Sequence, residues 1–378
     1  METGFDFKQL VALCCETHEA MRQRAARSIN IELVVRNWLF GCYIVEYEQK
    51  GKDRAEYGRK VLKQLSALLS QELGRGFSVD SLEQMRRFFS EYKTIFSLTK
   101  KSETESRILS AHISETPSRI FDFQQTKSND WILKLASKFH LGWSHYVTLL
   151  SVDNSEERKF YEIEAVKNSW SVRELERQIS SSLYERLALS RNKGEINRLS
   201  KEGLTIEKPA DLIKNPFVLE FLGLEEKTHY SEDQFETAII NQLESFLLEL
   251  GKGFLFEARQ KRFTFDNDHF YVDLVFYNRL LRCYVLIDLK RDKLTHQDLG
   301  QMQMYVNYFD RHVKTNDELP TVGIVLCSRK NDALVELTLP EDGNIFASKY
   351  QLYLPSKEEL KQQVQRATKA FQNEIKGS

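Results

Sequence analysis

Phe270-Tyr-Val-Asp-Leu-Val-Phe-Tyr277 and Leu281-Arg-Cys-Tyr-Val-Leu-Ile-Asp-Leu-Lys290 decide the fold of the C-terminal half of this chain. Both runs are rich in β-branched and aromatic residues, and Asn278-Arg279-Leu280 between them reads as a hairpin turn. Side chains along a strand alternate between faces. Asp288 and Lys290 therefore point the same way, and a register centred on the turn brings Asp273 to their side. In a tight hairpin the two carboxylates are direct or diagonal neighbours, roughly 5 to 8 Å apart at Cβ. Two carboxylates that close, set among Val, Leu, Ile, Phe and Tyr, repel each other and are costly to bury unless a cation neutralises them. Mg²⁺, or Mn²⁺ in its place, suits the pair, because such an ion takes one or two carboxylates and keeps waters that phosphate oxygens can replace. Lys290 beside them can orient or activate water, or hold a phosphate oxygen.

Upstream, residues of about 232 to 250 have the spacing of one amphipathic helix, with Ile239, Ile240, Leu243, Phe246, Leu247 and Leu250 as its apolar stripe. Glu236 falls within that stripe, and a carboxylate there either favours the helix dipole, snorkels, or serves the charged site. Downstream, about 296 to 311 form a second helix with Leu299, Met302, Val306 and Phe309 at core spacing. Its neighbouring face carries Gln301, Tyr305, Tyr308 and His312. Strands at Thr321–Ser328 and Lys349–Leu354 complete a mixed sheet flanked by helices.

Asp273 followed by Asp288-x-Lys290 resembles the core of the PD-(D/E)XK nucleases, and Gln301-x-x-x-Tyr305 is similar to the motif that follows it in RecB-like members. Trp143-Ser-His-Tyr146, Phe160-Tyr-Glu-Ile-Glu-Ala165, Trp170-Ser-Val-Arg-Glu-Leu-Glu-Arg-Gln178 and Leu183-Tyr-Glu-Arg-Leu187 look like the N-terminal domain of the YhcG-type nuclease family. Leu247-Leu-Glu-Leu-Gly251-Lys-Gly-Phe and Arg259-Gln260 look like its C-terminal nuclease domain, so the resemblance spans about residues 30 to 355. It implies a restriction-endonuclease-like α/β domain hydrolysing nucleic-acid phosphodiesters, DNA first, in recombination, repair or defence against mobile DNA. The implied catalytic set is Asp273, Asp288, Lys290, Gln301 and Tyr305. Asp273 and Asp288 would hold the ion with Glu236 as a third or water-mediated ligand, and Arg173, Arg177, Arg259 and Gln260 would meet nucleic acid. Val272 stands where the family motif has proline, and Asp288 where glutamate is commoner. Glu257, on the preceding strand, is an extra ligand or an exposed strand residue.

The N-terminal half reads as all-helical. Ile31–Glu48, Arg54–Gln71 and Val79–Tyr92 are helices, with Gly74-Arg-Gly-Phe-Ser78 as the turn of a helix-turn-helix outline. Gly142–Leu150, Ser155–Asn168 and Val172–Leu187 form a second, winged-helix-like outline, the last helix opened by a Ser171/Glu174 capping box. There Arg173 and Arg177 are the candidates for a DNA groove, and a protein partner or a homodimer for these helices is the alternative. The expected limits are an extension over 1–29, a helical domain over 30–195 with a polar loop at 99–130, a connector over 196–230, the nuclease domain over 231–355 and a charged helix over 356–378. A net charge of −1 excludes a generally basic nucleic-acid binder and leaves local tracks such as Met21–Arg27, Arg86-Arg87 and Arg186. Five cysteines without zinc spacing, no membrane-length apolar run and no signal-like start point to a reducing cytoplasm, away from membranes. A nuclease fold that only binds nucleic acid or a partner is the competing reading.

Overall fold

The structure is a computed structural model that describes residues 30–45, 47–48, 56–93, 130–191, 193–224, 230–265, 267–330, 332–340 and 343–362. The Met21–Arg27 run, Cys14, Cys15, the extension over 1–29, most of the 99–130 loop and the end of the C-terminal helix lie outside the described residues. Two compact units divide the chain: residues 1–158 with 170–172, and residues 159–169 with 173–378. No helix among the described residues is long and apolar enough to cross a membrane.

In the first unit, α1 (30–45), α2 (Glu56–Leu73), α3 (Val79–Tyr92), α4 (Asp130–Ala136) and α5 (Trp143–Leu149) are all helical, as the periodicity requires. The break between α2 and α3 uses Gly74 and Gly76, both at positive φ, and Ser78 caps α3 by accepting from Ser81 N. Leu82, Met85, Phe88 and Tyr92 form the buried stripe of α3, and the Phe88 ring lies 4.9 Å from Tyr146 of α5. Arg86 and Arg87, expected as a basic track, are paired with Glu48, Glu83 and Asp153.

The second unit begins within α6 (Ser155–Asn168) and continues through α7 (Val172–Ser180), α8 (Leu183–Leu189) and α9 (Lys193–Glu202). The expected single helix over 172–187 is broken at Ser181-Ser182, where Ser182 is left-handed at φ 53°. Residues 173–195, grouped by the sequence reading with the N-terminal helices, thus pack with the C-terminal unit. The reason is electrostatic. Glu249 is fully buried, its Oε1 accepts from Arg186 Nη1 at 2.5 Å and from Val218 N at 3.0 Å, and Lys214 Nζ donates to its carbonyl. Arg186 is therefore an interior residue with no exposure, not part of a surface track.

The connector holds two 3₁₀ turns, Pro209–Leu212 and Glu220–Leu222, and between them β1 (Phe217–Val218), which adds an edge strand to the sheet. Then follow α10 (Glu232–Asn241), α11 (Leu243–Leu250), β2 (Phe254–Phe265), β3 (Asp268–Asn278), β4 (Cys283–Lys293), α12 (His296–His312), β5 (Val322–Arg329), α13 (Asp332–Thr338) and β6 (Ile345–Gln351). The expected helix over 232–250 is two helices, because the chain turns out of helical geometry at Gln242 (φ −118°, ψ 33°). Strand order is β1-β6-β5-β4-β3-β2, with β2, β3 and β4 antiparallel and β4, β5, β6 and β1 parallel.

Val285, Leu286, Ile287 and Leu289 of β4 have no exposure, because α10 and α11 cover one face of the sheet and α12 the other. Thr295 caps α12 with Asp298 in a capping box, and Leu299, Met302, Val306 and Phe309 are buried as expected, joined by Tyr305. Gly323 on β5 lets α12 approach: a Cβ there would lie 2.7 Å from the Met302 side chain. That close seat sets the depth of Gln301 and Tyr305.

Candidate active site

Asn278 closes the β3–β4 hairpin. Its Oδ1 accepts from Leu280 N and Leu281 N, and it pairs across the ladder with Cys283, so the loop is Arg279 to Arg282, longer than the expected turn. From Asn278↔Cys283 the pairing runs to Leu274↔Ile287, and one step beyond, the same register sets Asp273 opposite Asp288. There the strands part. Asp273 Oδ2 takes the Leu289 backbone N–H at 2.8 Å, filling with a side chain the place of a ladder carbonyl. On the other flank, Arg259↔Leu274 and Lys261↔Val272 set Gln260 opposite Asp273, so Gln260, Asp273 and Asp288 form one row across β2, β3 and β4.

Gln260 sits in the left-handed region at φ 48° in mid-strand, a conformation that costs a non-glycine residue on the order of 1 kcal/mol or more. Its effect is visible next door. Adjacent strand residues normally face apart, yet Arg259 Nε and Gln260 Nε2 both donate to the Glu236 carboxylate. Gln260 Nε2 also reaches Asp273 Oδ1 at 3.1 Å, so one amide links Glu236 of α10 to Asp273 of β3. Beyond this row the alternation changes sides: Leu274 and Phe276 join the core under α10 and α11, whereas Phe263 and Val272 join the core under α12.

Asp288 is 2% exposed, and its Oδ2 lies 2.9 Å from Lys290 Nζ as an ion pair without aligned hydrogen-bond geometry. Burial first, and then the Asp273 charge, push the Asp288 carboxyl up to about 7 against the pull of Lys290. Burial works against the Lys290 charge too, but Asp288, Glu232 and Asp273 outweigh it and hold the ammonium above the ordinary lysine range. Without an ion, Lys290 is thus an ammonium beside the two carboxylates. Glu236 is raised by burial, opposed by the Gln260 and Arg259 hydrogen bonds. Gln301 Nε2 donates to Tyr305 Oη on α12, and the buried Tyr305 hydroxyl is raised by burial and then, against that bond, by Asp288 and Asp273.

A divalent cation can be tested against these groups. Among the described residues no three of Asp, Glu, His and Cys stand ready-made around one ion, and Gln260 engages both Glu236 and Asp273. A buried Asp288 oxygen without a hydrogen bond, facing a second carboxylate across a strand pair, is nonetheless the donor set a hard cation takes. Asp273 and Asp288 are the residues that would hold such an ion, with Glu236 one amide away.

The structure thus brings Asp273, Asp288, Lys290, Glu236, Arg259, Gln260, Gln301 and Tyr305 into one neighbourhood. It does not bring the other two there. Arg173 is exposed on α7, and Arg177 is held inside by Glu220 at 3.0 Å and Glu249 at 3.4 Å, with its guanidinium 5.3 Å from the Phe221 ring centre. Glu257 is exposed at a β-bulge, 3.5 Å from Lys261. Sequence reading missed Glu232, whose Oε2 is 3.9 Å from Lys290 Nζ, although its place one helical turn before Glu236 was a usable signal.

Residues 210–365 match the family described as YhcG PDDEXK nuclease domain, and residues 15–186 match the DUF1016 N-terminal domain. A protein described as "Putative nuclease YhcG" from Escherichia coli (strain K12) is 40% identical over 344 residues, which is 90% of this chain and 89% of that one. Among solved structures, "crystal structure of a repair endonuclease from Pyrococcus abyssi" is 19% identical over 34% of this chain and 50% of its own, with a TM-score of 0.24. The "Structure of EndoMS-dsDNA2 complex" is 17% identical over 35% and 51%, also with a TM-score of 0.24. The alignment spans about half the length of each of those two solved chains.

Proposed function

The chain belongs to the YhcG family, with a YhcG PDDEXK nuclease domain behind a DUF1016 N-terminal domain, and from that membership we propose that it hydrolyses nucleic-acid phosphodiester bonds, DNA first, with a divalent cation held by Asp273 and Asp288. The observation that carries this reading is the Asp273–Asp288 row, a half-buried carboxylate facing a buried one whose Oδ2 is ion-paired with the charged Lys290 at 2.9 Å. A bound cation would supply Lewis-acid stabilisation of charge on the phosphate and lower the pKa of a water.

The remaining roles belong to the chain itself. Lys290 donates to a phosphate oxygen or fixes the attacking water. Gln301 and Tyr305, joined to each other on α12, line the same neighbourhood and can position the phosphate. Glu236 acts through Gln260: the amide nitrogen donates to both Glu236 and Asp273 Oδ1, and Arg259 opposes the effect of burial on the Glu236 carboxyl.

The test is a calorimetric titration of Mg²⁺ and Mn²⁺ into the full chain and its Asp288→Ala variant, beside cleavage of plasmid, linear and branched DNA. Binding and cleavage that both vanish in the variant are the expected result. DNA cut equally well with and without chelator would overturn the reading. DNA binding with neither ion uptake nor cleavage would instead favour a binding-only protein, a reading supported by the engagement of Asp273 and Glu236 with Gln260. Affinity for the ion should also depend on pH, because a protonated Asp288 cannot ligate. Mn²⁺ affinity should fall by about tenfold per unit as pH drops below about 7, and an affinity flat from pH 8 to pH 6 would contradict the assigned ligand.

A further inference from the structure

Past the carboxylate row the β2–β3 hairpin parts from β4, which runs on beside β5 to Lys293↔Arg329. β3 pairs with β4 only as far as Leu274↔Ile287, whereas β2 and β3 stay paired through Phe265↔Asp268. The ribbon therefore extends roughly 17 Å past the carboxylate row. It is braced from below: Phe263 stacks on Tyr308 of α12 at 4.1 Å and 17°, and Val272 joins the same core. Its other side faces outward with Arg262 opposite Tyr271 and Thr264 opposite His269. These four are exposed, Tyr271 at 44%. Arg262 Nη2 lies 2.9 Å from His269 Nε2 and 3.1 Å from Nδ1, and Nδ1 lies 3.0 Å from Thr264 Oγ1, so the guanidinium is held against the imidazole on the strand opposite, where Tyr271 is its cross-strand neighbour. Among the described residues no carboxylate pairs with Arg262.

A fixed cation and an open aromatic face, two residues or roughly 7 Å from Asp273, make a chemically specific surface. We propose that the outward face of this hairpin binds an unpaired, single-stranded stretch of nucleic acid and leads it to the carboxylate row, Arg262 taking a phosphate and Tyr271 stacking on a base. The inference rests on the nuclease reading above and narrows its substrate. Two features select a single strand. A ribbon of two chains, roughly 5 Å apart, offers a bed for one phosphate backbone, and a paired helix presents phosphates to Arg262 but no free base face to Tyr271. Asp268 at the tip repels phosphate, so the strand runs from Arg262 towards Asp273 and does not pass over the end of the hairpin.

The experiment measures fluorescence anisotropy of a short labelled oligodeoxythymidine and of a blunt duplex of equal length, on the full chain, in chelator so that cleavage plays no part. Tyr271→Ala should weaken single-strand binding by about ten- to a hundredfold and leave duplex binding nearly unchanged, with Tyr271→Phe restoring it. Arg262→Ala should reduce the slope of log affinity against log salt by about 0.7. Both side chains are exposed, and unchanged melting temperatures verify the fold. Single-strand affinity untouched by Tyr271→Ala, or an equal loss for duplex and single strand, overturns the proposal. The two readings separate cleanly. Ion-dependent cleavage lost in Asp288→Ala but normal single-strand binding in Tyr271→Ala sinks the hairpin alone, and a Tyr271-dependent affinity in a chain that never cuts sinks the nuclease alone.

Discussion

Asp288→Asn is expected to lower cleavage by a factor on the order of a thousand or more and, at the same time, to raise the melting temperature of the metal-free protein. The first effect follows from losing a cation ligand, since several kcal/mol of charge stabilisation at the phosphate corresponds to about three powers of ten in rate. The second follows from where the carboxylate sits. Its pKa rises from an ordinary 3.8 to about 7 through burial and the facing Asp273. A carboxyl raised in the folded state stabilises the fold fully below its unfolded value, and that contribution is lost as pH rises through about 7. At pH 8 the native protein thus carries a buried charge that the neutral amide removes, and each kcal/mol recovered moves the melting point by about 2–4 °C in a unit of this size.

Asp273→Ala makes the contrast. It should also lose cleavage, but its carboxylate accepts from Leu289 N and Gln260, and leaving a buried N–H without a partner costs about 1–3 kcal/mol. Its melting point should fall. Calorimetric scanning of both variants in chelator, with plasmid nicking alongside, reads all four outcomes. An Asp288→Asn protein that cuts like the parent refutes the ligand, and one that melts lower refutes the electrostatic account of the site.

Glu249→Ala is expected to destabilise the second unit by about 3–5 kcal/mol, the cost of leaving buried charges unpaired. Burial alone would raise this carboxyl, but Arg186, Lys214 and Arg177 outweigh it and hold it at about 2. A carboxylate with a depressed folded pKa stabilises the protein above its unfolded value, ordinarily 4.5, and that contribution disappears as pH falls towards about 2. Urea melts of the parent should therefore lose stability between about pH 4.5 and pH 2, and those of the variant should lose less over that interval. Equal acid sensitivity would remove Glu249 from this role. Cleavage sites on DNA should be unchanged in whatever fraction stays folded, because Glu249 lies at the α11 end of the second unit and contacts none of Asp273, Asp288 or Lys290.

Alternation along β4 and the helical spacing of α12 were legible in the sequence, and with them the shared face of Asp288 and Lys290 and the burial of Leu299, Met302, Val306 and Phe309. Those are local properties: a period of two or of 3.6 assigns a face wherever the chain goes. The polar flank expected to carry Tyr305 was misjudged in depth, since the helix sits so close over Gly323 that the ring is buried. The expected neighbourhood of Asp273 and Asp288 is met as direct opposition, although the loop is one residue longer than the expected turn because Asn278 pairs with Cys283.

Nothing in the Arg259-Gln260 pair announces that Gln260 turns left-handed so that both side chains meet Glu236. Arg186 looked like one more surface cation until its partner, 63 residues along the chain, was in place. The amino-acid order by itself determined which residues could be strands, helices and charges of a nuclease core. Which charge meets which partner was decided by packing, because burial strength and distance between remote residues exist only once the chain has closed on itself.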